Sequence, residues 1–222
     1  MATALIVGAS RGLGRAMTEA FLKREWDVIG TVLEVDGLAD LKHDRLTVER
    51  LDTTDWAGVD RLRDKLAGRT LDLLMVNAGI KGPSEVPIGE ADPDAFARLM
   101  LVNVLAPLRI VDRYAELVAV KGTIAAMSSG MGSITRNTYA TWEAYRTSKA
   151  ALNMGMKSIH ARRADERTYV LANPGWTKTA MGGDDAPLTI AEVIPSLVSV
   201  LERRAGCGGL HYVDYKDEDI PW

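Results

Sequence analysis

The sequence predicts an α/β fold, built around a doubly wound parallel β-sheet that is covered by helices on both faces. Three observations predict this class. Short runs rich in Val, Ile and Leu alternate with longer segments whose apolar residues recur at helical spacing. Several of these runs end in turns of Gly, Asn or Ser, and no long linker, repeat or low-complexity segment interrupts the alternation. Because strand–helix alternation is typical of a parallel sheet, we expect residues 1–222 to form a single domain.

The predicted strands are short runs of apolar and β-branched residues. The first strand ends at Gly8, the third ends in a run of Asp and Thr, and the fourth ends at Asn77. In chain order, strands are predicted over residues 4–7, 26–33, 46–51, 71–76, 122–127 and 168–172, with a final edge strand over 210–212.

The predicted helices lie between these strands. Asp or Thr within residues 52–55 is a candidate N-cap for the second helix. Asp92 and Asp94 open the third helix, which we expect to bend near Pro107 because proline cannot continue the helical hydrogen bonding. In chain order, helices are predicted over residues 15–24 and 59–66, from 92 through 105 to the bend near Pro107, and over 141–162 and 190–201.

The composition narrows the class of protein. With 27 Lys and Arg against 30 Asp and Glu, a net charge of -3 argues against a protein whose main partner is a nucleic acid or an anionic membrane. The single cysteine, Cys207, excludes an intrachain disulfide and a multi-cysteine site, so we expect no metal. No apolar run approaches the ~20 residues that span a bilayer, and the first run does not resemble a signal peptide. The expected location is cytoplasmic.

A glycine-rich loop joins the first predicted strand to the first predicted helix, with the spacing G-x-x-x-G-x-G. Glycine permits a tight turn and a close approach of the backbone to a pyrophosphate, whose charge is stabilised by the N–H groups at the helix start. The alternative is a strand–helix turn that carries glycine for its geometry alone. The candidate phosphate-binding residues are Gly8, Ser10, Arg11, Gly12, Leu13 and Gly14.

Tyr145 and Lys149 are four residues apart in a predicted helix, so their side chains lie on one face. A neighbouring ammonium, in a dry cleft with an oxidised nicotinamide, lowers the pKa of a phenol, which then exchanges a proton near neutral pH. The alternative is a chance pair, with the tyrosine half-buried and the lysine solvated. Ser129 follows the fifth strand and is a candidate to hydrogen-bond a substrate oxygen; Ser128 is the alternative holder of that role.

These features occur in register along nearly the whole chain, and together they resemble the short-chain dehydrogenase/reductase family, which implies a Rossmann-type fold. The last residues, around Tyr212 and Trp222, resemble the branch of C-factor-like and carbonyl-reductase-like proteins. The motifs that carry the resemblance are the glycine loop, Asp52, Asn77-Ala78-Gly79, Asn103, Ser129, Tyr145-x-x-x-Lys149 and Pro174-Gly175-Trp176-Thr177-Lys178-Thr179.

The resemblance assigns a role to each catalytic candidate. It implies that Tyr145 is the acid/base, that Ser129 orients the substrate oxygen, and that Lys149 lowers the pKa of the tyrosine and holds the nicotinamide ribose. It implies that Asn103 holds a water that connects Lys149 to solvent. The reaction it implies is hydride transfer between a nicotinamide and a carbonyl or alcohol substrate.

The resemblance also assigns the cofactor-binding residues. Asp52, with Thr53, is expected to meet the adenine, and Thr177 and Thr179 are expected to contact the carboxamide and phosphates. Asn77 has two interpretations: it supports the ribose side of the cofactor, or it ties neighbouring strands together. The full set implied beyond the glycine loop is Asp52, Thr53, Asn77, Ala78, Gly79, Asn103, Tyr145, Lys149, Pro174, Gly175, Thr177 and Thr179.

The sequence favours NADP(H) over NAD(H). Arg11 matches the basic residue of NADP-preferring relatives and can pair with a 2′-phosphate, although an exposed arginine without a ligand is the alternative. The second strand ends in Thr31-Val32-Leu33, without the acidic residue that NAD-preferring relatives carry. Two features count against NADP(H), because Leu33 stands where relatives often have an arginine and Glu34 follows it.

The sequence identifies the loops of the substrate pocket but not the substrate. Residues 130–142, Trp176 and residues 181–187 are expected to border it, and 181–187 is expected to be mobile. Trp142 either stacks on the substrate or packs in the core, and core packing is the favoured interpretation. Arg136 is a candidate contact for an anionic group. Tyr139 is rejected as the acid/base because Glu143, not a lysine, lies four residues on.

Two other classes of function stay open. Regulatory or signalling proteins of the same family bind a dinucleotide with little turnover, and C-factor-like proteins are linked to intercellular signalling. An epimerase or dehydratase is disfavoured because such relatives carry a further substrate domain. The expected partner is a small carbonyl or alcohol compound, with a homo-oligomer possible.

Overall fold

The computed structural model describes residues 2–222. These residues form one β-sheet, whose strands are numbered β1 to β7 in chain order. The strands are β1 (Thr3–Val7), β2 (Asp27–Val32), β3 (Leu46–Arg50), β4 (Leu71–Val76), β5 (Val118–Met127), β6 (Thr168–Asn173) and β7 (Leu210–Asp214).

All seven strands are parallel, in the spatial order β3-β2-β1-β4-β5-β6-β7. The chain builds outward from β1 to β3 and then returns to place β4 on the other side of β1. Ligands of doubly wound sheets bind where this reversal opens a crevice, at the carboxyl ends of the strands. The predicted Rossmann-type fold is confirmed.

Six α-helices cover the sheet. They are α1 (Gly12–Lys23), α2 (Trp56–Lys65), α3 (Pro93–Met100), α4 (Ala106–Tyr114), α5 (Glu143–Arg163) and α6 (Ile190–Arg204). Short 3-10 turns lie at Val35–Leu38, Ile88–Glu90, Ala115–Leu117 and Gly130–Gly132.

Successive side chains of each strand point to opposite faces of the sheet, so the core has two halves. On one face Leu5 packs in a cluster with α2, α4 and α5, through residues such as Ile110 and Leu152. On the other face Ile6 packs in a cluster with α1 and α6, through residues such as Phe21 and Leu197. Both faces of the sheet are therefore buried, as the apolar runs of the sequence predict.

Several boundaries differ from prediction. Strand β5 begins at Val118 rather than 122, because its first residues pair with β4 around an irregular register even though Val120 is exposed. Strand β7 extends to Asp214. Helix α2 begins at Trp56, and its N-cap Asp55 makes no capping bond; the Asp55 carboxylate pairs with Arg61 instead.

The third predicted helix is interrupted rather than simply bent. Helices α3 and α4 are separated by a π-helical turn, Leu101–Leu105, in which the Ala106 N–H donates to the Leu101 carbonyl, five residues back. Pro107 follows at the start of α4. Turns of this kind are frequent at functional sites, and this one contains Asn103. Among residues 2–222, no helix combines the length and apolar character that crossing a membrane requires.

Candidate functional site

The glycine loop lies at the carboxyl end of β1, in the crevice. Gly8 has a φ of +87°, and a Cβ there would lie 2.9 Å from the Ala78 backbone. A Cβ on Gly14 would lie 2.0 Å from the Gly8 carbonyl oxygen. Both positions therefore require glycine, and the backbone between them is held compactly against the end of β4.

Asn77 ties this loop to the sheet. Its Nδ2 donates to the Gly8 carbonyl at 2.8 Å, and its backbone N–H donates to the Val7 carbonyl at 2.9 Å. The Gly8 N–H in turn donates to Thr31 Oγ1 at 3.1 Å. The side chain of Asn77 thus makes a bond that fits the structural interpretation, and its role beside the ribose stays a prediction. Thr31 was missed as a loop support; its only signal is a hydroxyl at the end of β2, opposite Val7.

The start of α1 is open to an anion. Arg11 stands at the N-cap with an extended backbone and no capping side chain, so the first N–H groups of the helix have no local acceptor there. Its side chain is exposed, and it forms no ion pair with the residues that the structure describes. Ser10 and Leu13 are half-buried beside it. An N-terminus of this kind favours a phosphate.

Lys149 lies at the centre of the site. It is 4 % exposed, and its Nζ donates to the Met127 carbonyl at 2.9 Å. Burial lowers the pKa of its ammonium to about 8. A Cβ built on Gly79 would lie 3.8 Å from this Nζ and 3.3 Å from Asn103 Oδ1, which brings the ends of β4 and β5 together with α5. The alternative of a solvated lysine is excluded.

Tyr145 lies beside Lys149, with 5.5 Å between the Lys149 Nζ and the centroid of the phenol ring. Burial, and to a smaller extent the neighbouring Tyr212, raises the pKa of Tyr145 to about 12. The expected lowering of this pKa by Lys149 applies to the site with an oxidised nicotinamide bound, and it stays a prediction. Desolvation of the phenolate is the largest cause of the elevation.

Asn103 anchors the loop that follows β4. Its Oδ1 accepts from the Ile80 N–H at 2.8 Å, and its Nδ2 donates to the Ile80 carbonyl at 2.9 Å and to Ser148 Oγ at 3.2 Å. Both amide hydrogens are thereby used. Its main-chain carbonyl has no donor four residues on, because Pro107 lacks an N–H.

Ser128 and Ser129 have different surroundings. Ser128 is buried, and its hydroxyl donates to Asn153 Oδ1 at 2.6 Å, so it faces the interior rather than the crevice. Ser129 is half-buried, and its Oγ accepts from the Met131 N–H at 3.2 Å, which leaves the hydroxyl hydrogen for a ligand. Of the two serines, the geometry favours Ser129.

Trp142 does not pack in the core, contrary to the favoured prediction. It is half-buried at the N-cap of α5 with a φ of 62°, and its ring contacts Tyr145. The left-handed backbone turns the side chain out of the helical register that the prediction assumed. Lys81, which sequence reasoning missed, places its Nζ 4.7 Å from the centroid of the indole. Tyr139, which was rejected as the acid/base, is exposed, whereas Tyr145 is half-buried.

The loop after β6 reaches the glycine loop. Thr177 is buried and donates through Oγ1 to the Pro174 carbonyl at 3.1 Å, while Thr179 Oγ1 accepts from the Gly182 N–H at 3.0 Å. A Cβ on Gly12 would lie 3.8 Å from Thr179 Cγ2. Gly175 has a φ of +73° at the start of the loop. Of the predicted cofactor residues in this loop, Thr179 thus lies beside the glycine loop.

Asp52 and Thr53 follow the carboxyl end of β3, at the same edge. Asp52 Oδ1 accepts from the Thr54 N–H at 2.8 Å and from its hydroxyl at 2.7 Å, and these bonds lower the pKa of the carboxyl. Arg50, the last residue of β3, donates through Nε to the Leu33 carbonyl at 3.2 Å. It is a cation at the end of β2 that sequence reasoning missed, because strand pairing rather than spacing brings it there.

Comparisons with known proteins agree with this geometry. A sequence model of the short chain dehydrogenase family matches residues 2–187. The C-signal protein of Myxococcus xanthus is 34% identical over 157 residues, which are 68% of this chain and 93% of that protein.

Two solved structures have the same fold. A short-chain dehydrogenase/reductase of Burkholderia multivorans with bound NADP superposes with a TM-score of 0.96 at 46% identity, covering 100% of this chain and 99% of the other. A carbonyl reductase of Pseudomonas aeruginosa PAO1 in complex with NADP gives a TM-score of 0.91 at 37% identity, covering 100% of both chains. With the glycine loop, the buried lysine and the tyrosine of α5 in one crevice, the chain belongs to the short-chain dehydrogenase/reductase family.

Proposed function

We propose that this oxidoreductase is an NADP(H)-dependent carbonyl reductase or alcohol dehydrogenase in which Tyr145 exchanges a proton with the substrate oxygen. The observation that carries the proposal is the buried Lys149, which lies between Tyr145, the Asn103 amide and the strand end that bears Ser129. Burying an ammonium is unfavourable, so a site that maintains one beside a phenol is better suited to proton transfer than to packing.

The residues present fit a nicotinamide dinucleotide. Gly8 and Gly14 are too tightly packed to carry a side chain, and the uncapped start of α1 offers N–H groups to a pyrophosphate. Asp52 and Thr53 would hold the adenine end, Ala78 and Gly79 the ribose, and Lys149 the nicotinamide ribose. The chain from Pro174 to Thr179 would hold the carboxamide and phosphates. When bound, the cofactor supplies or accepts the hydride.

The protein's own groups handle the proton. The free hydroxyl hydrogen of Ser129 donates to the carbonyl oxygen of the substrate and polarises it. As negative charge develops on that oxygen, Tyr145 transfers its proton, and the Lys149 ammonium stabilises the phenolate. The Asn103 main-chain carbonyl, which has no donor four residues on because Pro107 lacks an N–H, would accept from a water that returns the proton from solvent.

The preference for NADP(H) over NAD(H) rests on two arginines. Arg11 is exposed without an ion-pair partner among residues 2–222, and Arg50 lies at the end of β2 beside the exposed Leu33. A guanidinium pairs well with a phosphate. Relatives from Burkholderia multivorans and Pseudomonas aeruginosa hold NADP. Glu34, the residue after Leu33, is a carboxylate that opposes this preference.

The second candidate is a dinucleotide-binding regulatory protein with little turnover. The similarity to C-signal favours it. The arrangement of Tyr145, Ser129 and Lys149 favours catalysis instead, because binding alone does not need a phenol beside a buried ammonium.

One titration series tests both candidates. The fluorescence of NADPH and of NADH is followed separately as protein is added, and oxidation of the bound form is then measured with a panel of aldehydes, ketones and quinones. We expect tighter binding of NADPH and its oxidation by at least one compound. A failure to bind either nucleotide would falsify the proposal.

Tyr145→Phe separates the two candidates. We expect this variant to bind NADPH like the wild type and to lose roughly 10²- to 10⁴-fold in kcat, since only the proton donor is removed. Turnover that survives the change rejects Tyr145 as the acid/base, and binding without turnover in the wild type favours the regulatory candidate. The cytoplasmic location, the homo-oligomer and the extent of the single domain stay predictions.

A further inference from the structure

The residues after β7 fold back over the sheet and reach the loop that carries Ser129. Val213 and Asp219 form an antiparallel bridge, and the Ile220 N–H donates to the Tyr212 carbonyl at 2.8 Å. Ile220 is 3 % exposed. We call residues 220–222 the return segment; it is held against β7 by backbone bonds and by burial of its first side chain.

The return segment is bonded to the far end of the serine loop, residues 129–135. The Ser133 hydroxyl donates to the Pro221 carbonyl at 2.5 Å, and the Thr135 N–H donates to the Trp222 carbonyl at 3.0 Å. The centroid of the Trp222 ring lies 5.5 Å from the centroid of the Tyr212 ring. The Lys157 Nζ lies 5.0 Å from the same Trp222 centroid. The indole, which is 41 % exposed, therefore contacts both β7 and α5.

The near end of the serine loop is held by Tyr212 itself. The phenol hydroxyl of Tyr212, which is 3 % exposed, donates to the carbonyl of Ser129. Between the two ends, Asn153 Nδ2 of α5 donates to the Gly132 carbonyl at 3.3 Å. The serine loop is consequently anchored at its start, its middle and its end. These bonds leave the hydroxyl hydrogen of Ser129 free for a ligand.

We propose that Tyr212 and the return segment are positioning elements that hold the serine loop and thereby fix the direction of the Ser129 hydroxyl. The inference rests on the proposed role of Ser129 in orienting the substrate oxygen. Neither Tyr212 nor Trp222 touches the substrate oxygen in this scheme; each acts through the backbone of the loop. Displacing a catalytic group by about 1 Å lowers a rate by up to roughly 10²-fold, so a loosened loop reduces turnover.

The expected kinetic signature is specific. Tyr212→Phe and Trp222→Ala are expected to lower kcat about tenfold and to leave the affinity for NADPH unchanged, because the serine loop faces the substrate rather than the nucleotide. Trp222→Phe, which keeps a ring over Tyr212, is expected to recover most of the loss. The matched control is Tyr169→Phe, which removes the hydroxyl of a buried tyrosine that bonds Asp165 in the turn between α5 and β6.

Hydrogen exchange tests the anchoring without relying on turnover. In Tyr212→Phe and Trp222→Ala, amides of residues 129–136 are expected to exchange faster than in wild type, while peptides from β1 and β4 stay protected. Tyr169→Phe is expected to leave residues 129–136 unchanged. Unchanged exchange in both test variants overturns the proposal, and so does a uniform rise across the sheet.

Turnover and hydrogen exchange together distinguish a failure of the proposed function from a failure of the positioning proposal. Faster exchange of the loop with an unchanged kcat overturns the link between anchoring and Ser129. A wild type that binds NADPH but turns over no carbonyl compound refutes the proposed function and with it that link, while the exchange data still decide whether the loop is anchored.

Discussion

The indole of Trp142 stands edge-on to the phenol of Tyr145, with 5.6 Å between ring centroids and an interplanar angle of 86°. Trp142 is the N-cap of α5 and has a left-handed backbone, which is uncommon for a bulky residue. Strained conformations of this kind persist where the surrounding structure holds them, often at functional sites. The contact shields one side of the proposed acid/base from water.

Trp142→Ala is expected to lower the pKa of Tyr145 from about 12 toward the ordinary phenol value of ~10, because burial is the main cause of the elevation. The pKa of Tyr145 is measured by ultraviolet titration of tyrosinate. The titration curve of the double variant Trp142→Ala/Tyr145→Phe is subtracted from that of Trp142→Ala, which leaves the signal of Tyr145. Trp56→Ala, which removes an indole that contacts Arg109 instead, is the control. A Tyr145 pKa that stays near 12 without the indole contradicts the shielding.

Lys149→Met is expected to stabilise the cofactor-free protein near neutral pH. Burial lowers the pKa of the ammonium from 10.5 to about 8, so the folded state disfavours the charged form. A difference of this size corresponds to about 3 kcal/mol of unfolding free energy. Loss of the bond to Met127 offsets part of it, by about 1 kcal/mol. Urea unfolding at about pH 7 measures the net gain.

The pH dependence of that gain has a definite sign. From about pH 8 to about pH 10 the unfolded chain binds more protons at Lys149 than the folded chain, so wild-type stability rises with pH through this window. The rise is expected to be absent in Lys149→Met and present in Lys121→Met, an exposed lysine of β5. Parallel stability curves for wild type and Lys149→Met contradict the assigned pKa.

Arg11→Ala and Arg50→Ala are each expected to weaken NADPH binding about tenfold and to leave NADH binding unchanged, because each removes one charged contact to a 2′-phosphate. Fluorescence titration with both nucleotides measures the ratio. Arg162→Ala, whose guanidinium pairs with Asp112 on the surface, is the control. If the variants lose equal affinity for NADPH and NADH, the arginines do not contact the 2′-phosphate.

The features that the sequence predicts well are local. The i, i+4 spacing of Tyr145 and Lys149 fixes their common face once the helix forms, and Gly8 and Gly14 act within one strand–helix turn. The burial of both faces of the sheet was predictable as well, since strands with apolar residues at successive positions require helices on both faces. These properties follow from backbone geometry over a few residues.

The contacts that sequence reasoning missed join distant parts of the chain. Tyr212 and Ser129 are 83 residues apart, and Arg50 reaches Leu33 only because β3 pairs with β2. The raised pKa of Tyr145 was missed for a related reason. Charge spacing can be read from the sequence, whereas the desolvation that opposes it depends on how tightly the assembled loops exclude water.

Pro107→Ala tests whether the π-helical turn serves the proton path. The new N–H at position 107 can donate to the Asn103 carbonyl, four residues back, and remove it as an acceptor for water. We expect kcat to fall about tenfold, which is the effect of losing a link worth roughly 1.4 kcal/mol, while NADPH affinity stays the same.

Stability separates this effect from a packing defect. Replacing an early-helix proline by alanine leaves the Asn103 side-chain bonds to Ile80 in place, so the melting temperature is expected to change little. Leu105→Ala, at an exposed position of the same turn, is the matched control and is expected to keep wild-type kcat. If Pro107→Ala retains full kcat with the protein still folded, the Asn103 carbonyl is not a required link, and the proton reaches Tyr145 by another route.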